Sequence, residues 1–168
     1  VRMPLFGSGR RLWLIACVCV GFVLVSAHRG LASAPKARRC FEIRIAAMPL
    51  VLLAIHAASM LAFDAFNPSC LPLHICNLCE VLVLVYALTG NEFSGSVLYG
   101  VGIVGSLAAL LFPGWSYAPT FSLPSVCGFG EHLLVLLFII MKLRDKSIRP
   151  AFDRLWQPLA FTGIYVAA

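Results

Sequence analysis

Leu71-Pro72-Leu73-His74-Ile75-Cys76-Asn77-Leu78-Cys79-Glu80 opens an apolar segment that runs on to Leu88. An ionisable or nucleophilic group at bilayer depth costs several kcal/mol unless it is paired or faces a polar cavity, so such a cluster marks a functional site by default. The segment is apolar enough to enter a membrane and chemically equipped in a way that lipid-facing helices are not. Its reading decides both the fold and where to look for chemistry.

The rest of the chain agrees with a membrane setting. The 168 residues are 61% hydrophobic and 12% charged, with a mean hydropathy of +0.93. A soluble core of ordinary proportions cannot hide that much apolar surface. Apolar stretches fall at about 12–27, 45–63, 71–88, 97–112, 127–143 and 155–168. Most approach the ~17 to 25 residues that a helix needs to cross ~30 Å of hydrocarbon. The expected fold is therefore all-α, a polytopic transmembrane bundle of about six helices in a single domain over residues 1–168. The sixth stretch ends without a polar tail, which reads as a chain cut inside a helix.

The basic residues give an orientation. All thirteen lie in three clusters: Arg2, Arg10 and Arg11; Arg29, Lys36, Arg38, Arg39 and Arg44; Lys142, Arg144, Lys146, Arg149 and Arg154. Four expected crossings separate the second and third clusters, so loops at 28–44 and 142–154 can share the cytoplasmic side of a cell membrane, as the positive-inside rule wants. The net charge of +6 is then topology, with some attraction to anionic headgroups, and nucleic acid is not an expected partner. Arg10 and Arg11 ahead of an apolar run, followed by Ala32-Ser33-Ala34, also fit a signal peptide. A retained first helix is the reading adopted, because export of the five positive charges that follow would invert the remaining helices.

Helix rise converts these segments into depth. If the third helix enters at Leu71 and the fifth near Cys127, Cys76 and His132 both lie roughly 8 Å below one surface, and His56 on the second helix lies roughly 10 Å below it. Cys76 with His132 as base forms a Cys/His nucleophilic pair, with His74, Asn77, His56 or Glu131 in supporting roles. Glu80 lies further in and marks the bundle interior. Each residue has a plainer reading: free cysteine packs as a small hydrophobe, and His56 among Ala57, Ala58 and Ser59 can be a hydrogen-bonded packing residue. Small residues Gly102, Gly105 and Ser106 can likewise serve helix packing.

A second chemistry uses the same residues. Cys76 and Cys79 form a C-x-x-C pair at a helix end, while Cys70 and Cys127 lie in or beside outward-facing loops, the layout of a membrane thiol-disulfide oxidoreductase. No Arg or Lys lies near that end to stabilise a thiolate. A metal site at His74, Cys76 and Cys79 fails on geometry, since residues two apart on a helix point to different sides; no metal or other cofactor is expected. A transporter or a non-enzymatic membrane protein is the remaining alternative.

The stretch Leu71 to Leu78 resembles the signature of the YwaF-like bacterial integral membrane proteins. Gly105-Ser106-Leu107-Ala108-Ala109-Leu110-Leu111-Phe112-Pro113 is similar to the corresponding helix of their animal relative, transmembrane protein 164, and Glu131-His132 before an apolar run resembles that family's histidine helix. The resemblance covers roughly residue 45 to the chain end. It implies acyl transfer to a lysophospholipid, or lipid ester hydrolysis, through a cysteine thioester, with Cys76 as nucleophile, His132 as base, and membrane phospholipid as partner.

Overall fold

A computed structural model describes residues 7–62, 74–113 and 119–167. The described elements are helical: α1 (Ser8–Gly30), α2 (Pro35–Ala62), α3 (Ile75–Thr89), α4 (Glu92–Leu111), α5 (Leu123–Arg144) and α6 (Trp156–Ala167), with a 3₁₀ turn at Phe152–Arg154. Four of these, α1, α2, α4 and α5, are long and apolar enough to cross a membrane, and α3 is a shorter apolar helix. Large apolar side chains such as Val18, Phe22, Val104 and Val166 point outward, as a lipid-facing surface requires.

The helices outrun the apolar stretches that announce them. The expected basic loop at 28–44 is a tight turn of residues 31–34: α1 continues to Gly30, and α2 starts at Pro35. Long Lys and Arg side chains keep their heads in water while the backbone stays helical, so charge marks where the apolar segment stops without ending the helix. Similarly, α5 begins at Leu123 with Pro124 in its first turn, where proline costs no hydrogen bond. That lengthens the helix above His132 to nine residues, about 14 Å at the ordinary rise, in place of the shallower depth expected. The third helix starts at Ile75, with His74 extended before it; residues 71–73 and Cys70 lie outside the described residues.

The α3–α4 connection is two residues long. Gly90 adopts φ +68° and its amide donates to the Tyr86 carbonyl oxygen, while Asn91 Oδ1 caps α4 by accepting from the Ser94 amide at 3.0 Å. A left-handed glycine followed by an Asn cap suits two back-to-back helix ends. Within α4, Leu98–Gly102 forms a π turn, an insertion that interrupts an otherwise regular helix.

The central element is α5, which packs against α1, α2, α3 and α4. Phe129, Phe138, Ile139 and Met141 on it are fully buried. Small residues let neighbours approach: a Cβ on Gly102 would lie 2.9 Å from Ile139 Cδ1, and one on Gly100 would lie 2.8 Å from the Pro158 ring. Gly102 is thus a packing glycine, whereas Gly105 faces open space. α1 is a full member of the bundle. Trp13 stacks on Phe129 with ring centroids 5.1 Å apart and donates from Nε1 to the Thr120 carbonyl oxygen at 2.6 Å.

Candidate functional site

Two polar clusters occupy opposite ends of this apolar bundle. The first gathers the sequence candidates around the start of α3 and the first half of α5. Cys76 is partly buried, one residue into α3, and its thiol donates to Asn77 Oδ1 at 3.2 Å. Glu80 follows one turn later with 1% of its surface exposed; the i, i+4 spacing puts it on the same helix face as Cys76. From α5, the Glu131 carboxyl lies within Coulombic range of Cys76, Glu80 and Cys127. Cys76, Glu80 and Glu131 are thus within electrostatic reach of one another across α3 and α5; the sequence reading pairs Cys76 with His132 and gives Glu131 a supporting role.

His132 is buried and turns its Nδ1 onto the Gly128 carbonyl oxygen at 2.9 Å. A carbonyl only accepts, so Nδ1 carries the proton and Nε2 carries the lone pair of the neutral ring. That is the tautomer a general base needs. His74 precedes α3 with an exposed side chain that does not cap the helix. Three buried polar atoms in this part of the bundle have no hydrogen-bond partner among the described residues: His56 Nε2 on α2, Glu80 Oε2 on α3 and Glu131 Oε1 on α5. Such groups are rare in folded proteins and demand an explanation by water, ligand or function.

The cysteines divide sharply. Cys76, Cys79 and Cys127 are all free thiols. Cys127 was expected in or beside a loop; it lies inside α5 with no exposed surface, because the helix starts four residues earlier. It cannot serve as an exchangeable loop thiol from that position.

The second cluster was not legible as a unit, since its members lie up to 117 residues apart, from His28 to Asp145. His28 at the end of α1, Arg38 and Glu42 at the start of α2, and Lys142 and Asp145 at the end of α5 form one ion-pair knot. His28 Nε2 lies 2.8 Å from Glu42 Oε1, Lys142 Nζ lies 2.5 Å from Glu42 Oε2, and Arg38 pairs with Asp145. Burial alone would raise the Glu42 carboxyl, but hydrogen bonds and charge from His28 and Lys142 outweigh it and hold the group below the ordinary carboxylate range. Glu42 lies in the polar first turns of α2, ahead of the apolar run from Ile45. Ligand atoms of His28, Glu42 and Asp145 come within 4.8 Å of one another, close enough to hold a metal ion. Arg38 and Lys142 already balance both carboxylates, which makes the knot a structural clamp.

A helical bundle with lipid-facing sides and buried acidic, thiol and imidazole groups defines a polytopic integral membrane protein with an intramembrane polar site. The chain belongs to the TMEM164 family, whose model it matches over residues 5–168. The match takes in α1, extending the resemblance read from residue 45 onward. Among curated proteins and among solved structures, none matches this chain.

Proposed function

We propose that the chain, read as one membrane domain over residues 1–168, transfers or hydrolyses a lipid acyl ester through Cys76. The observation that carries this reading is a partly buried Cys76 sharing a helix face with Glu80 and within electrostatic reach of Glu131, while α5 also carries a buried His132 in the base tautomer. Membership of the TMEM164 family supports it. The Cys76 sulfur attacks the ester carbonyl carbon while its proton passes to His132 Nε2; the ester C–O bond breaks, and the leaving alcohol takes that proton. A lysophospholipid hydroxyl or water then attacks the thioester and returns the proton to sulfur. Asn77, already bonded to the thiol through Oδ1, orients it, and its amide NH₂ is a donor toward the developing oxyanion. His56 and His74 are supporting residues in the same reading. The basic end, with residues 28–44 and 142–154, is read as cytoplasmic.

The alternative, thiol-disulfide exchange at Cys76 and Cys79, loses Cys127 as a loop partner. One experiment separates the two: mass spectrometry of the Cys76 peptide after incubating unreduced protein with phospholipid. A fatty acyl mass that hydroxylamine removes is expected. A Cys76–Cys79 disulfide with no acyl adduct, under conditions that trap turnover, would overturn acyl transfer.

A further inference from the structure

The basic end of the bundle holds a cavity of about 620 Å³ between the α3–α4 turn and the segment following α5. It lies at the opposite end from Cys76, and the acyl-transfer reading does not use it. Its walls combine three cations, Lys146, Arg149 and Arg154, with the side chains of Tyr86, Ser96 and Ser147. Two carboxylates also line it, but both are taken: Glu92 pairs with Arg154 at 2.8 Å, and Asp145 pairs with Arg38. Lys146 and Arg149 have no acidic partner among the described residues. The cavity is left with two uncompensated positive charges and three hydroxyls.

The lining is held in shape. Ile148 is buried in the hydrophobic core, which pins the segment between the two free cations. Lys146 sits at φ +57°, and the amides of Ser147 and Ile148 both turn back to the Lys142 carbonyl oxygen, at 2.9 and 3.2 Å. Arg149 donates from Nε to the Lys146 carbonyl oxygen at 3.1 Å. The carbonyls at the C-terminal ends of α3 and α5, which would repel an anion, are thereby partly satisfied by the chain itself. Gly90, also on the wall, leaves open space where a Cβ would stand.

We propose that this cavity binds a phosphate monoester, with Lys146 and Arg149 holding the anion and the hydroxyls of Ser96 and Ser147 donating to its oxygens. Charge-assisted bonds from two cations to phosphate are the strong kind, and basic side chains at a membrane surface favour anionic headgroups. The same chemistry is offered by a phosphatidate headgroup and by a soluble phosphate ester.

The test is calorimetric titration of the whole protein in neutral detergent with short-chain phosphatidate, glycerol 3-phosphate and short-chain diacylglycerol. Saturable binding of phosphatidate alone assigns the site to a lipid headgroup; comparable binding of glycerol 3-phosphate assigns it to a soluble ester; diacylglycerol should not bind. The pair Lys146→Asn and Arg149→Gln, the first chosen because Asn tolerates positive φ, should weaken binding about tenfold or more. The charge-keeping pair Lys146→Arg and Arg149→Lys should retain it. If the neutral pair fails to assemble, Arg149→Gln alone, at an exposed position, gives the reading. No saturable binding of either phosphate ester, diacylglycerol binding as well as phosphatidate, or undiminished binding by the neutralised protein would overturn the proposal.

Discussion

Lys142 Nζ lies 2.5 Å from Glu42 Oε2, fastening the last turn of α5 to the first turns of α2 across a sequence separation of 100 residues. The Glu42 carboxyl is held below its ordinary value of 4.5, so the unfolded chain binds the extra proton as pH drops. Its stabilisation is present in full above about pH 4.5 and is lost as pH falls through the lower folded value. Glu42→Gln should cost about 1.5–3 kcal/mol at neutral pH, the range for a charged hydrogen bond. The variant should also lose part of the acid sensitivity. Thermal unfolding of both proteins in detergent between pH 3 and 7 checks this; parallel curves would remove Glu42 from the account.

At the other end of the bundle, Cys76→Ala should abolish turnover, and His132→Ala should lower it by about 10²- to 10⁴-fold, the usual contribution of a positioned base. Both proteins should insert and fold. Activity on a labelled phospholipid, with circular dichroism as the folding control, reads the outcome. Unchanged turnover in both variants would end the Cys/His mechanism.

Two glycines of α4 make a matched pair. Gly100→Ala drives a Cβ to 2.8 Å from the rigid Pro158 ring, whereas Gly105→Ala meets nothing within 4 Å. The first should destabilise by about 1–3 kcal/mol through overpacking. The second should be neutral or stabilise by up to about 1 kcal/mol, since alanine is the better helix former. Unfolding midpoints of the two proteins give the comparison.

Trp13 tests whether α1 is structurally integral. Trp13→Phe keeps an aromatic ring against Phe129 but loses the bond to the Thr120 carbonyl, for about 1 kcal/mol. Trp13→Ala removes both and should cost about 3–5 kcal/mol. Equal midpoints for the two variants would mean that the stack contributes nothing.

The apolar runs located the membrane helices because length and composition alone govern insertion. They missed the ends, as at Pro35 and Leu123, because arginine and proline at a helix terminus are compatible with more helix. Cys76, Glu131 and His132 were legible as candidates because polar groups stand out at bilayer depth. Glu80 was seen only as interior, although its spacing of four from Cys76 already put the two on one face. The knot of His28, Glu42 and Asp145 had no local signal: its basic members served equally well as topology markers, and only the packing of α1 and α2 on α5 brings their partners into reach.

The π turn at Leu98–Gly102 has an evolutionary corollary. An inserted residue advances a helix by about 100° around its axis, so the two halves of α4 are out of phase with one another. Ser94 and Val97 before the turn, and Ser106 and Leu110 after it, are buried on faces that a single uninterrupted periodicity does not connect. Loss of one residue inside the turn would restore a regular helix on which Ser94, Val97, Ser106 and Leu110 share one face, so the buried set of α4 would stay buried. Relatives that carry such a deletion should therefore pack α4 as this chain does, with a regular helix in place of the π turn.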